Sequence, residues 1–250
     1  MALLEEMKQQ GNFLFKFRGI LPFAILLPGW VLAFQHTMLS SSLTQGVGET
    51  SYPFVCLLVT LLGLLIRIYT VGHTPANTSG RNTKEQVADT LNTSGIYSVV
   101  RHPLYLGNFL MWLGVGMLTH SGWFIVVFAL IYWIYYERIM FAEEQFLRAK
   151  FGEKYTAWAD HTPTFIPDFH QWKSSSWPFS YKKVLKKEKN SVLYIFLVFF
   201  LFETIPRLWV DSVLIETDWV WISGVVAAVI LYFTLKILRS RTLLLDEQGR

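Results

Sequence analysis

Apolar residues in this chain come in blocks of about the length needed to cross a bilayer, and that patterning constrains the fold more than any other feature. A membrane-spanning helix needs roughly 20 predominantly apolar residues. Runs near that length extend from Gly19 to Met38, Tyr52 to Val71, Leu104 to Leu118, Trp123 to Phe141, Val192 to Trp209 and Trp219 to Ile237. Hydrophobic residues make up 52% of the 250 positions and charged residues only 16%, well under the roughly one-quarter charged fraction of soluble domains. The pattern predicts an all-α polytopic membrane bundle of about six transmembrane helices in a single domain over 1–250. Two spans fall in 19–71, a core in 79–167 and two more spans in 192–238. The third and fourth runs are separated only by Thr119-His120-Ser121-Gly122, which reads as the turn of a tight helical hairpin.

Lys and Arg set the expected orientation, because cytoplasmic loops carry the positive excess. Lys8, Lys16 and Arg18 precede the first run, and Arg81, Lys84 and Arg101 lie between the second and third. Arg148, Lys150, Lys154, Lys173 and the basic run from Lys182 to Lys189 lie between the fourth and fifth; Arg239, Arg241 and Arg250 follow the sixth. The alternate loops hold none, and only Arg207 sits toward the outer face. Both termini and the motif-bearing loops are therefore expected in the cytoplasm. The first eighteen residues are mixed in charge, so a signal anchor is expected rather than a cleavable signal. The single Cys56 excludes an intramolecular disulfide and argues against a metal held through sulfur; it reads as a small buried apolar residue.

Against this apolar background, Arg101-His102-Pro103-Leu104-Tyr105-Leu106-Gly107-Asn108 opens the third run, and Glu143-Glu144 closes the fourth. Charged groups are costly in lipid. Grouped where two arms of one hairpin reach water, they read as a site rather than an anchor. Pro103 suits the first turn of a helix, which puts His102 at the cap beside backbone N–H groups that can meet an anion. Gly107, Gly114 and Gly116 allow a ligand or a neighbouring helix to approach closely. Taken alone, the RHPLY stretch is equally a basic helix start beside a membrane; the acidic pair shifts the balance.

The flanking segments add context. Gly72 to Val100 is a polar loop broken by Pro75 and Gly80, of a length that is either functional or disordered; its run into the motif favours function. Phe146, Phe151 and Tyr155 recur at helical spacing, so the fourth span is expected to continue as an amphipathic helix. The Pro- and aromatic-rich stretch from Thr162 to Trp177 suits either an interfacial segment or an irregular linker. The Lys182 to Lys189 run obeys the orientation rule and is able to attract anionic lipid. No internal repeat or low-complexity tract is present, and nothing points to nucleic acid.

The RHPLY stretch with its downstream acidic pair resembles the isoprenylcysteine carboxyl methyltransferase and phospholipid methyltransferase family, membrane enzymes that use S-adenosylmethionine. The resemblance covers roughly Asn92 to Pro167. It implies that Asp89, Thr90, Leu91, Asn92 and Tyr97 wrap the cofactor, that His102, Pro103, Leu104 and Tyr105 form the core motif, and that Glu144 is the distal acid. Phe151-Gly152-Glu153-Lys154-Tyr155, Pro163 and Phe165 continue the family's tail pattern. Two departures stand out: Asp89 occupies a position that is usually histidine, and two further spans follow the core. The cofactor's carboxylate would meet Arg101 and His102, and its ammonium Glu143 or Glu144. Adjacent helical residues point about 100° apart, so the two glutamates do not face it equally.

The reaction implied is in-line attack on the sulfonium methyl by a lipid-borne nucleophile. An anionic acceptor needs no general base, whereas an amine calls for one such as Glu143. Arg138, one residue from the family position of a substrate-contacting arginine, reads either as steering an anionic head group or as an ordinary flanking charge. The lead-in Ser79-Gly80-Arg81-Asn82-Thr83-Lys84-Glu85 is similar to enzymes that methylate the 1-phosphate of lipid A. A membrane lipid or lipidated substrate is thus the expected partner, in a bacterial inner membrane, with no metal. A prenylated cysteine carboxylate and an ethanolamine phospholipid stay open as acceptors. A sterol-reductase-like NADPH enzyme shares this kind of bundle, but no Gly-rich dinucleotide fingerprint is present. A transporter would centre on Glu203 and Arg207, which are four residues apart on one helix face and read more simply as a local ion pair.

Overall fold

The computed structural model describes residues 2–43, 51–78, 86–212 and 214–249. The Ser79 to Glu85 lead-in lies outside them. The described residues form α1 (Leu3–Phe17), α2 (Leu21–Leu43), α3 (Tyr52–Gly72), α4 (Pro103–Met117), α5 (Gly122–Phe151), α6 (Glu153–Ala159), α7 (Tyr181–Asp211) and α8 (Glu216–Arg241). Short 3₁₀ turns occur at Ile96–Ser98 and Phe169–Gln171. The chain is a multi-pass membrane protein: α2, α3, α5, α7 and α8 are long and apolar enough to cross a membrane. Leu58, Leu65, Leu130 and Ile230 are more than half exposed on these helices, as side chains facing lipid would be.

The remaining expected span, Leu104 to Leu118, is helical but shorter than a crossing. α4 has 15 residues and rises about 22 Å, against a hydrocarbon core of about 30 Å. It stops where the hairpin reverses: Thr119 Oγ1 donates to the Gly116 carbonyl at 2.7 Å, and His120 takes φ +51°. α4 is held between α3 and α5. Its contact with α3 is glycine-mediated, since a Cβ on Gly107 would lie 2.8 Å from the Gly63 carbonyl oxygen and one on Gly114 would lie 2.9 Å from the Thr60 nitrogen. Buried Cys56 belongs to this packing.

Two further elements depart from the sequence pattern. Residues ahead of the first apolar run form a helix of their own, α1, packed on α5. A Cβ on Gly11 would overlap the Arg138 carbonyl, and Tyr135 donates its hydroxyl to the Leu14 carbonyl at 3.0 Å. The basic run is helical rather than a loop, because α7 starts at Tyr181, capped by Ser180, which accepts from the Lys183 nitrogen at 3.1 Å. Lys183 Nζ donates to the carbonyls of Thr74 and Pro75 at 2.6 and 2.9 Å, placing a cation at the negative end of α3. As the spacing predicts, α5 continues well past Phe141, and Gly152 at φ +55° separates it from α6. Arg207 pairs with Glu203 at 2.6 Å and approaches Asp218 of α8 at 3.5 Å, so this pair ties two helices together.

Candidate active site

The backbone leading into α4 is fixed by the segment after α6. Arg101 N donates to the Pro163 carbonyl at 2.8 Å, His102 N to Thr164 at 3.3 Å, and Asp168 N to Val99 at 2.9 Å. Trp158 Nε1 donates to the Tyr97 carbonyl at 3.0 Å. The tail pattern of the sequence thus serves as a backbone clamp on the motif. Pro103 opens α4 with His102 at its N-cap, but the His102 ring makes no cap bond. It turns toward α5 instead.

There the two glutamates take different partners, as adjacent helical residues must. Glu144 accepts from Arg101 Nη1 at 3.1 Å and bonds His102 Nε2 at 3.0 Å. Glu143 accepts from the Tyr105 hydroxyl at 2.9 Å and lies 3.8 Å from His102 Nδ1. Arg101 Nη2 also donates to Thr164 Oγ1. Its Nε is buried and lacks a hydrogen-bond partner among the described residues. Fully buried Tyr155 of α6 lies under this network; burial, and then the Glu144 carboxylate, push its phenol up.

Beside the network opens a cavity of about 780 Å³. Thr90, Leu91, Asn92, Tyr97, the Arg101 to Tyr105 stretch and Glu143 all line it. Burial, and then Glu143, push the Tyr97 phenol up. Three expected site residues are absent from the lining. Glu144 stands behind Arg101 and His102. Asp89 accepts from Asn77 Nδ2 at 2.9 Å. Arg138 points to α1, where its Nε donates to Gln10 Oε1 at 2.8 Å. Among the described residues no group of three or more His, Cys, Asp or Glu is placed to hold a metal ion.

Asn108, at the end of the Arg101 to Asn108 segment, also lines the cavity, and several lining residues lie outside that segment: Phe15 and Arg18 from the α1–α2 region, Arg67 from α3, Tyr136 from α5, and Lys187 and Glu188 from α7. Arg67 carried a usable signal, because a cation inside an apolar run is expensive and marks function. Arg18 and Lys187 were masked by the orientation rule, which accounts for any basic residue beside a span.

Residues 53–154, from the start of α3 to the start of α6, match the family model for phospholipid methyltransferase. Over 143 residues the chain is 34% identical to the cobalt-zinc-cadmium resistance protein CzcN of Cupriavidus metallidurans, covering 56% of this chain and 63% of that protein. It is 36% identical to the protein-S-isoprenylcysteine O-methyltransferase of Schizosaccharomyces pombe, covering 31% of this chain and 33% of the relative. Protein-S-isoprenylcysteine O-methyltransferase B of Arabidopsis thaliana is 35% identical over 31% of this chain and 39% of its own length. The chain spans less than two thirds of the length of each of these relatives. No solved structure gives a significant match. The chain is thus similar to phospholipid methyltransferases over residues 53–154 and to isoprenylcysteine methyltransferases over shorter stretches, and the matched segment holds the hairpin and its ion network.

Proposed function

We propose that this protein is an integral membrane methyltransferase that moves the methyl group of S-adenosylmethionine to an anionic oxygen on a lipid or lipidated acceptor, such as the 1-phosphate of lipid A. The observation that carries this reading is the cavity at the α4–α5 hairpin, where Arg101, His102 and Glu143 border one space inside the family segment. Its volume of about 780 Å³ falls in the upper part of the roughly 300–1,000 Å³ usual for small-molecule sites. The residues present fit the cofactor. Arg101 offers a buried, unsatisfied Nε suited to a carboxylate, and Glu143 offers an acceptor for an ammonium. Leu91, Tyr97, Phe146 and Trp158 supply a partly apolar slot.

When bound, the cofactor contributes an electrophilic methyl on sulfur. The protein's part is orientation: Tyr105 fixes Glu143, and Glu144 fixes Arg101 and His102 from behind. Alignment of two reactants accounts for about 7–11 kcal/mol of barrier in favourable cases. A phosphate or carboxylate arrives without a proton to lose, and Arg18, Arg67 and Lys187 in the lining favour such an acceptor over an ammonium. The printed names of the isoprenylcysteine relatives support a prenylated cysteine carboxylate as the second reading. The distribution of Lys and Arg supports a cytoplasmic site.

Lipid mass spectrometry of cells with and without the gene should reveal one lipid class that gains a single methyl. Purified protein should bind S-adenosylhomocysteine; binding NADPH in its place would overturn the reading. The chemical step should be nearly flat from about pH 7 to 9, since a phosphate with a second pKa near 6 is already ionised there. A clear rise over that window, with label recovered on nitrogen, would instead indicate an amine acceptor. Arg138→Gln should leave S-adenosylhomocysteine affinity unchanged while loosening α1 by about 1 kcal/mol. A tenfold fall in affinity would instead give Arg138 a part in cofactor binding.

A further inference from the structure

The cavity has two chemically different ends. Its loop-side end carries the motif residues described above. At the other end, toward the bundle core, Asn108 lies one helical turn beyond Tyr105 on the same face of α4, about 4.5 Å further along the axis. Asn108 Oδ1 accepts from Arg67 Nη1 at 2.6 Å. Glu188 of α7 grips the same guanidinium from the other side, accepting from Nε at 3.1 Å and from Nη2 at 2.7 Å. Ser191 donates to Glu188 Oε2 at 2.6 Å, which fixes the carboxylate in turn. Gly107 makes the arrangement possible: a Cβ there would stand 2.7 Å from Arg67 Cγ.

The guanidinium is therefore immobilised at the cavity wall in a planar fork. N–H donors remain on both terminal nitrogens after these three bonds. Arg18 also lines the cavity, its guanidinium 3.9 Å above the Phe15 ring centroid. The Tyr136 hydroxyl lies beside Asn108 and within reach of the charges of both Arg18 and Arg67. Lys187 adds a third cation from α7. Among the described residues, the cavity lining as a whole holds Arg18, Arg67, Arg101 and Lys187 against the carboxylates of Glu143 and Glu188. A net positive, hydrogen-bonding pocket that faces the membrane-spanning helices suits an anionic group carried on a lipid chain.

We propose that this end of the cavity is the acceptor's anion site. Arg67 anchors the phosphate or carboxylate oxygens, Arg18 and Lys187 flank them, and Glu188 is a positioning residue that holds the Arg67 fork. α7, which follows the matched segment, is thereby part of the substrate site rather than an appendage. The proposal rests on the methyltransferase reading for the identity of the acceptor, but the anion site can be measured without turnover.

The full chain would be placed in nanodiscs of phosphatidylcholine, and binding of two probes measured by native mass spectrometry. One probe is dioleoyl phosphatidic acid, for a phosphate source; the other is N-acetyl-S-farnesylcysteine, for a carboxylate source. At least one should bind tenfold or more tightly than competing phosphatidylethanolamine, and the preferred probe identifies the source. Arg67→Gln and Glu188→Gln should each remove most of that preference and leave S-adenosylhomocysteine affinity within about threefold. Arg18→Gln and Lys187→Gln, which spare the buried network, should each weaken the preferred probe several-fold, so the proposal stays testable even if the Arg67 variant does not fold. With methyl transfer in hand, Glu188→Gln should raise KM for the acceptor more than it lowers kcat. Loss of S-adenosylhomocysteine affinity in step with probe binding would assign Arg67 to the cofactor and overturn the proposal, as would probe binding indifferent to all four substitutions. Wild-type protein that prefers anionic lipid yet binds no S-adenosylhomocysteine would sink the methyltransferase reading while leaving the anion site standing.

Discussion

Glu144→Ala should lower methyl transfer by roughly two orders of magnitude and weaken S-adenosylhomocysteine binding at least tenfold, although Glu144 does not line the cavity. Its carboxylate is the shared acceptor for Arg101 Nη1 at 3.1 Å and His102 Nε2 at 3.0 Å. Both partners stand at the start of α4, where the helix dipole already concentrates positive charge. Removing the carboxylate leaves two buried or half-buried donors to find other partners. Loss of one charge-assisted hydrogen bond costs about 1.5–3 kcal/mol. Here two are lost together, but Glu144 is 21% exposed, so water replaces part of what the side chain supplied. His102, at 6% exposure, has less access to that replacement and should account for most of the effect. Glu144→Gln keeps one acceptor oxygen and should fall between wild type and Ala. Titration of detergent-purified protein, with a thermal melt as the folding control, measures this directly. Affinity within twofold of wild type in folded Glu144→Ala would reduce Glu144 to packing and shift the anchoring role to Glu143 alone.

The same residues show what the sequence can and cannot convey. Helical periodicity and proline chemistry made the α4 start, the His102 cap position and the divergence of Glu143 from Glu144 legible, because each depends on geometry within a few residues. The apolar runs marked the helices, yet they could not separate α4 from a full crossing, since length in a hairpin is set by where the turn falls. α1 is not legible in the sequence because its burial comes from α5, more than a hundred residues away; Gly11 against Arg138 leaves no local trace. The resemblance implies Glu144 as the distal acid, but no local pattern conveys that its side chain bonds Arg101 and His102. Arg67 is legible as a costly cation in an apolar run, but its role is not. Its partners, Asn108 and Glu188, lie on two other helices, one of them inside a basic run that orientation alone explains.

Gly63→Ala should be among the most destabilising single substitutions in the chain, at the upper end of the roughly 1–3 kcal/mol typical of overpacking. A Cβ at this position would overlap the Gly107 carbonyl and stand 2.6 Å from the Met111 nitrogen. These are backbone atoms of α4, so no rotamer change relieves the clash. α3 and α4 would have to separate, and the second close contact, Gly114 against Thr60 and Cys56, would open with them. Arg67 lies one turn along α3 from Gly63, and Asn108 follows Gly107 directly, so separation also stretches the 2.6 Å bond between them. The melting temperature should therefore fall by several degrees, since about 1 kcal/mol corresponds to ~2–4 °C at this chain length. Any preference for anionic acceptors should weaken in parallel. Gly122→Ala is the matched control: nothing lies within 4 Å of the added Cβ, and its effect should stay within about 0.5 kcal/mol. If Gly63→Ala melts with wild type, the close α3–α4 approach is not what holds this bundle, and the register that brings Arg67 to Asn108 must have another cause.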